Sequence, residues 1–130
     1  MTDSVREKIW GDKAAAIEAG LAALDPDLAE LITEVAYEKV LAREGLELKT
    51  RELLAIAYLT ALGSEAELKT HIHGALNCGA SFTEIKETVL QAALFVGFPR
   101  AVAAMKVVRE VEGRRAVKQE QAPNPQTPRP

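Results

Sequence analysis

Only one cysteine, Cys78, occurs in the 130-residue chain, so no intrachain disulfide can form and no CxxC pair exists for thiol redox chemistry. A lone thiol fits a reducing compartment, and the cytoplasm is the expected location. Aromatic residues are scarce, at 5%, so the core must be built from Ala, Leu, Ile and Val. No apolar run reaches the roughly 18 residues that a membrane-spanning helix needs, and no membrane association is expected. The opening stretch MTDSVREKIWGDK mixes charges of both signs and lacks the apolar centre of a signal peptide. Basic residues are not in excess: the net charge is −3, which argues against a nucleic-acid binder with a positive face. Strand-like alternation is almost absent.

What the chain does have is helix punctuation. Hydrophobic residues make up 48% of it, enough for one packed domain near the small end of the range. Ala-rich helices approach closely but fill a short subunit poorly, so a homo-oligomer is expected. Val5 to Leu24 has helical spacing, weakened by Gly11 and Gly20, and reads as one helix or two short ones. Asp25-Pro26 restarts the helix, and an apolar stripe from Leu28 to Leu41 continues toward Gly45. Thr50 is the expected cap of a helix reaching Leu62 and stopped by Gly63. Two capping boxes follow, Ser64 with Glu67 and Ser81 with Glu84, opening helices to about Asn77 and Val96. A last helix is predicted from Arg100 to about Glu112. The final eight residues hold four of the six prolines, so residues 1–112 read as the helical domain and 113–130 as a disordered tail. Isolated glycines read as turns, and the EIKE segment as a solvated face.

Chemistry concentrates between Thr50 and Pro99, which contains both histidines. Glu67 and His71 are four apart, so on a helix they share one face about 40° apart. A carboxylate beside an imidazole orients the ring and raises its pKa, as a general acid requires. Glutamate at position 67 also suits a capping box without any catalytic role. Glu52, at the start of the preceding helix, can approach the C-terminal half of the next one if the two pack antiparallel. His73 points about 200° away from His71, so the two cannot chelate one metal from the same helix. Cys78 lies about 10 Å along the axis from His71, at the helix end that raises a thiol's pKa, and reads as a small buried residue.

The order of markers Arg51-Glu52-Leu53, Ala61-Leu62-Gly63, Glu67-Leu68, His71, Gly79, Glu84-Ile85 and Gly97-Phe98-Pro99 resembles the carboxymuconolactone decarboxylase family, across about Leu28 to Met105. The resemblance implies an all-α, alkylhydroperoxidase D-like fold of six or seven helices around a central helical hairpin. It also implies a homo-oligomer, a hexamer arranged as a trimer of dimers in the decarboxylase branch. The hydroperoxidase branch carries two redox cysteines, which fall here on Ser64 and Glu67; the proton-relay positions Glu52 and His71 are kept. That disulfide cycle therefore has no physical basis in this chain.

The leading expectation is a cofactor-free lyase that decarboxylates a small carboxylated lactone or related acid. The unsaturated lactone is itself the electron sink, so neither metal nor pyridoxal is needed. His71 would be the acid that reprotonates carbon, with Glu67 orienting it and Glu52 completing the relay. An anionic substrate needs a positive partner, for which Arg51 and Lys69 are the candidates. Two other readings stand beside it: a peroxiredoxin-like antioxidant protein using Cys78 alone, and a non-catalytic oligomer in which Glu67 only caps a helix.

Overall fold

The computed structural model describes residues 3–121. Among them every regular element is helical and none is a strand. Helix α1, Val5–Trp10, opens on Ser4, whose hydroxyl accepts from the Glu7 amide. The chain breaks at Gly11, makes one 3-10 turn over Gly11–Lys13, and resumes as α2, Ala14–Leu24. The expected split of the first segment thus falls at Gly11, and Gly20 is carried inside α2. Asp25 caps α3, Pro26–Leu31, by accepting from the Leu28 amide at 2.8 Å, with Pro26 in the first turn. The helix then widens into π-type turns over Ile32–Leu41 and ends short of Gly45. Thr33, Tyr37 and Leu41, each four apart, face α1, where Arg6 donates to Thr33 and Trp10 donates to Tyr37.

Helices α4, Leu48–Leu62, and α5, Glu65–Asn77, form the central hairpin. Its turn is made by Gly63, at φ 69° and ψ 26°, a left-handed conformation that costs a residue without a Cβ little. The Gly63 and Ser64 amides donate back to the Thr60 and Leu59 carbonyls and close α4.

Two expected caps differ from the structure. Thr50 lies inside the first turn of α4, whose cap is Glu47. Ser64 does precede α5, but the turn holds it at φ −87° and ψ 85°, and its side chain makes no capping bond, so the Ser64–Glu67 box does not form. The Ser81–Glu84 box is complete and opens α6, Phe82–Val96.

Helix α7 starts at Phe98, not Arg100, and runs through Gly113 to Gln121, past the expected end near Glu112. The remainder of the expected tail, 122–130, lies outside the described residues. No helix among the described residues is long and apolar enough to cross a membrane.

Apolar packing separates into two clusters. The larger joins α4 to α7 through Ile56, Leu68, Ile72, Ile85, Val89 and Val108. The smaller gathers Ile9, Trp10 and Ala14 with Tyr37, Leu41, Leu48 and Cys78. On α4, Leu48 belongs to the small cluster and Ile56 to the large one, four residues to either side of Glu52. The seam between the clusters therefore runs through Glu52.

Candidate active site

Glu52 is 1% exposed, and Leu48 and Ile56, one turn to either side of it on α4, are apolar. A carboxylate in such surroundings is costly unless a hydrogen-bonding partner is built in. That partner is His71: Glu52 Oε2 lies 2.8 Å from His71 Nδ1. The hairpin brings the two together, since α4 and α5 run antiparallel from the Gly63 turn. A carboxylate accepting from Nδ1–H fixes the ring's orientation and leaves Nε2 as the nitrogen free to act.

The His71 side chain keeps 24% of its surface exposed, so the pair is rooted in the core but reachable from outside. Two influences compete for its proton. Burial pulls the imidazole pKa down, while the Glu52 hydrogen bond and the charges of Glu52 and Glu67 push it up. The upward pull wins, and the pKa lies above its ordinary 6.5. The same hydrogen bond that orients the ring therefore favours its protonated form.

The expected division of labour between the glutamates changes. Glu52, not Glu67, makes the hydrogen bond that orients His71. Glu67 is exposed and acts on the ring only through its charge. With Ser64 making no capping bond, the capping explanation of Glu67 also lacks its serine half.

The two candidate cations make their hydrogen bonds and ion pairs with residues other than Glu52 and His71. Lys69 reaches α7 and pairs with Glu110 at 3.1 Å. Arg51 donates from Nη2 to the Arg43 carbonyl at 3.2 Å, and its buried Nε has no partner.

His73 leaves α5 on the opposite side from His71, where Arg115 Nη2 lies 3.0 Å from its Nδ1. Burial and the positive charges of Arg115, Lys13, Lys69 and Lys118 lower its pKa. Among the described residues no three His, Cys, Asp or Glu side chains cluster as a metal ion would need. The Cys78 thiol is pushed up to about 11, mainly by burial and then by the charge of Glu52, with Lys8 opposing weakly.

Three contributors escaped the sequence reading. Trp10 stands edge-on to His71, ring centroids 5.2 Å apart and planes at 72°. Tyr37 accepts the indole N–H of Trp10. Gly74, inside α5, leaves room for both Glu52 and Trp10. The available signal was Gly74 itself: a glycine in the middle of a helix more often marks a close approach than a turn.

Among all-α chains, this one buries a glutamate against a histidine in its central hairpin. It is a member of the carboxymuconolactone decarboxylase family, whose profile matches residues 26–110. Among its relatives is a 4-carboxymuconolactone decarboxylase of Acinetobacter baylyi, 37% identical over 109 residues, covering 82% of this chain and 81% of the relative. A nitrosuccinic acid decarboxylase of Metarhizium robertsii is 41% identical over 81 residues, which cover 62% of this chain and 57% of that protein. These matches support a decarboxylase-like, carboxy-lyase kind of activity.

Proposed function

We propose that the protein is a cofactor-free decarboxylase of small carboxylated acids, lactones among them, in which Glu52 and His71 handle the proton. The observation that carries this reading is the 2.8 Å bond between a fully buried carboxylate and a partly exposed imidazole. The substrates named for the two relatives differ in skeleton but share one property. Each holds its own electron sink, an unsaturated lactone in one and a nitro group in the other. When the C–CO2 bond breaks, its electron pair moves into that sink, onto the lactone carbonyl oxygen or the nitro oxygens. A proton must then be returned to carbon.

His71 is suited to that return. Protonated, it presents Nε2–H while Nδ1–H stays on Glu52, so proton transfer leaves a neutral ring already oriented by its carboxylate. Glu67, at the exposed end of the same helix face, helps keep the ring protonated through its charge. Arg51 is the remaining candidate to hold a substrate carboxylate, because Lys69 is engaged by Glu110.

The test is CO2 release from 4-carboxymuconolactone and from nitrosuccinic acid. Wild type should turn over at least one of them, and His71→Ala or Glu52→Gln should lower kcat by about 10²–10⁴-fold with the fold retained. His73→Ala should change kcat by less than about twofold, since no interaction with the site is lost. Wild-type turnover by His71→Ala would overturn the reading.

A further inference from the structure

Helix α1 has no part in the reaction described so far, yet it meets α5, the helix that carries His71, at three places. The first is at Gly74, three residues after His71 and on the same face of α5. A Cβ at this position would lie 3.0 Å from Glu52 Oε2, 3.1 Å from Trp10 Cζ3 and 2.9 Å from Ile9 Cγ2. That Glu52 oxygen is the one bonded to His71. Glycine is a poorer helix former than alanine; here its missing side chain is the space in which the carboxylate and the indole meet α5.

The second contact is made by Asn77, whose Nδ2 donates to the Ile9 carbonyl at 2.7 Å. Carbonyls in the last turn of a helix have no partner within it, so Asn77 fastens the end of α1 to the end of α5. The third is the indole itself, buried, edge-on to the His71 ring and anchored through its N–H to Tyr37. The family profile begins at residue 26 and so spans Glu52, His71, Gly74 and Asn77 but not Trp10.

We propose that Trp10 is a positioning residue for His71, with Gly74 and Asn77 holding α1 as one wall of the site. This inference rests on the proton-transfer role proposed above. The charges acting on the ring are those of Glu52 and Glu67, with the Cys78 thiol further along the same face. Trp10 therefore contributes orientation and not charge. Edge-on aromatic contact is a preferred geometry for two rings; here it restricts rotation of the imidazole and keeps water from one of its flanks.

The test uses the full chain carrying His73→Gln, which leaves His71 as the single imidazole in the NMR spectrum. Trp10→Leu keeps an apolar side chain in the small cluster but removes the ring, and Trp10→Phe restores a ring. The leucine variant should lose about tenfold in kcat with KM changed by less than about twofold, as misorientation of an acid predicts. Its His71 ring protons should lose the shift caused by the indole, and Trp10→Phe should recover most of both effects. Gly74→Ala should lower kcat by displacing Glu52 and Trp10 from α5, although alanine is the better helix former. It should also lower the His71 pKa, because Glu52 is pushed off the ring.

A Trp10→Leu protein with lowered Tm but unchanged kcat and unchanged His71 resonances would overturn the proposal. If Trp10→Leu does not fold, Asn77→Ala, which loosens α1 without touching Glu52, decides by the same readouts. Should His71→Ala prove fully active, the proton-transfer reading fails, and the NMR comparison still decides whether Trp10 positions the ring.

Discussion

Cys78 sits where a thiol is hard to ionise. Its surroundings are the apolar side chains of the small cluster, its Sγ faces the Lys8 carbonyl at 3.8 Å, and the charge of Glu52 adds to the cost of a thiolate. A pKa pushed up to about 11 leaves about one thiol in 10⁴ ionised at pH 7. Cys78 should therefore react with iodoacetamide or low peroxide far more slowly than a free thiol does, and Cys78→Ser should retain decarboxylase turnover. Rapid stoichiometric oxidation by peroxide would instead favour an antioxidant role.

Glu52 and His71 could be picked out as candidates because ionisable side chains stood among Ala, Leu and Ile. Which glutamate orients the ring was not legible. Helical spacing puts Glu67 beside His71 on the same helix, whereas Glu52 reaches the ring only through the packing of α4 on α5. The same limit hid Trp10, which is 61 positions from His71 in sequence and meets it only through the docking of α1.

At the scale of elements, apolar spacing and end signals located the helices well. The Asp25-Pro26 restart, the Gly63 turn and the Ser81–Glu84 box all work as their residue types require. The misjudged ends share a cause: each depended on competition between a local signal and something beyond it. Gly113 read as a stop, but α7 continues because the residues around it are good helix formers tied by charge pairs. Glu110 meets Arg114 at 3.0 Å, and Arg115 is held by His73 on α5. The single glycine is weaker than these together. Thr50 read as a cap by type alone, but α4 starts earlier, at Leu48, which packs into the small cluster. The π-type turns of Ile32–Leu41 left no mark in the sequence, since residues spaced by three and four suit an ordinary helix equally well.

For the whole molecule, the conspicuous feature is how much apolar surface stays in water. Leu54, Tyr58 and Leu62 recur every fourth residue on the outer side of α4 and are exposed. Across the junction of α6 and α7, Leu90, Leu94, Phe95, Phe98 and Val102 are exposed too, with Leu94 at 79% and Phe95 at 81%. Helices α4 and α6 pack together, so these side chains spread over neighbouring elements. Patches of this kind on a small domain mark association sites, and the second copy expected from the short Ala-rich chain is the simplest occupant. Sedimentation equilibrium should give an assembly, a hexamer by the family resemblance, and Leu94→Asp with Phe95→Asp should break it down. A monomer at micromolar concentration would count against self-association and leave the apolar face unexplained.

In the proposed reaction protonated His71, oriented by Glu52, delivers the proton. The direction of the pH dependence follows from the raised His71 pKa. A pKa raised above 6.5 keeps the ring protonated beyond the usual histidine range, so activity should persist there and fall as pH rises through the folded-state value. The most direct measurement is the pH dependence of kcat/KM for decarboxylation, set beside an NMR titration of His71 in the same free protein. Because kcat/KM reports ionisations of the free enzyme, the alkaline limb of the rate profile should coincide with the His71 titration, above 6.5. A limb that falls elsewhere, or a rate that stays flat while His71 loses its proton, would contradict it.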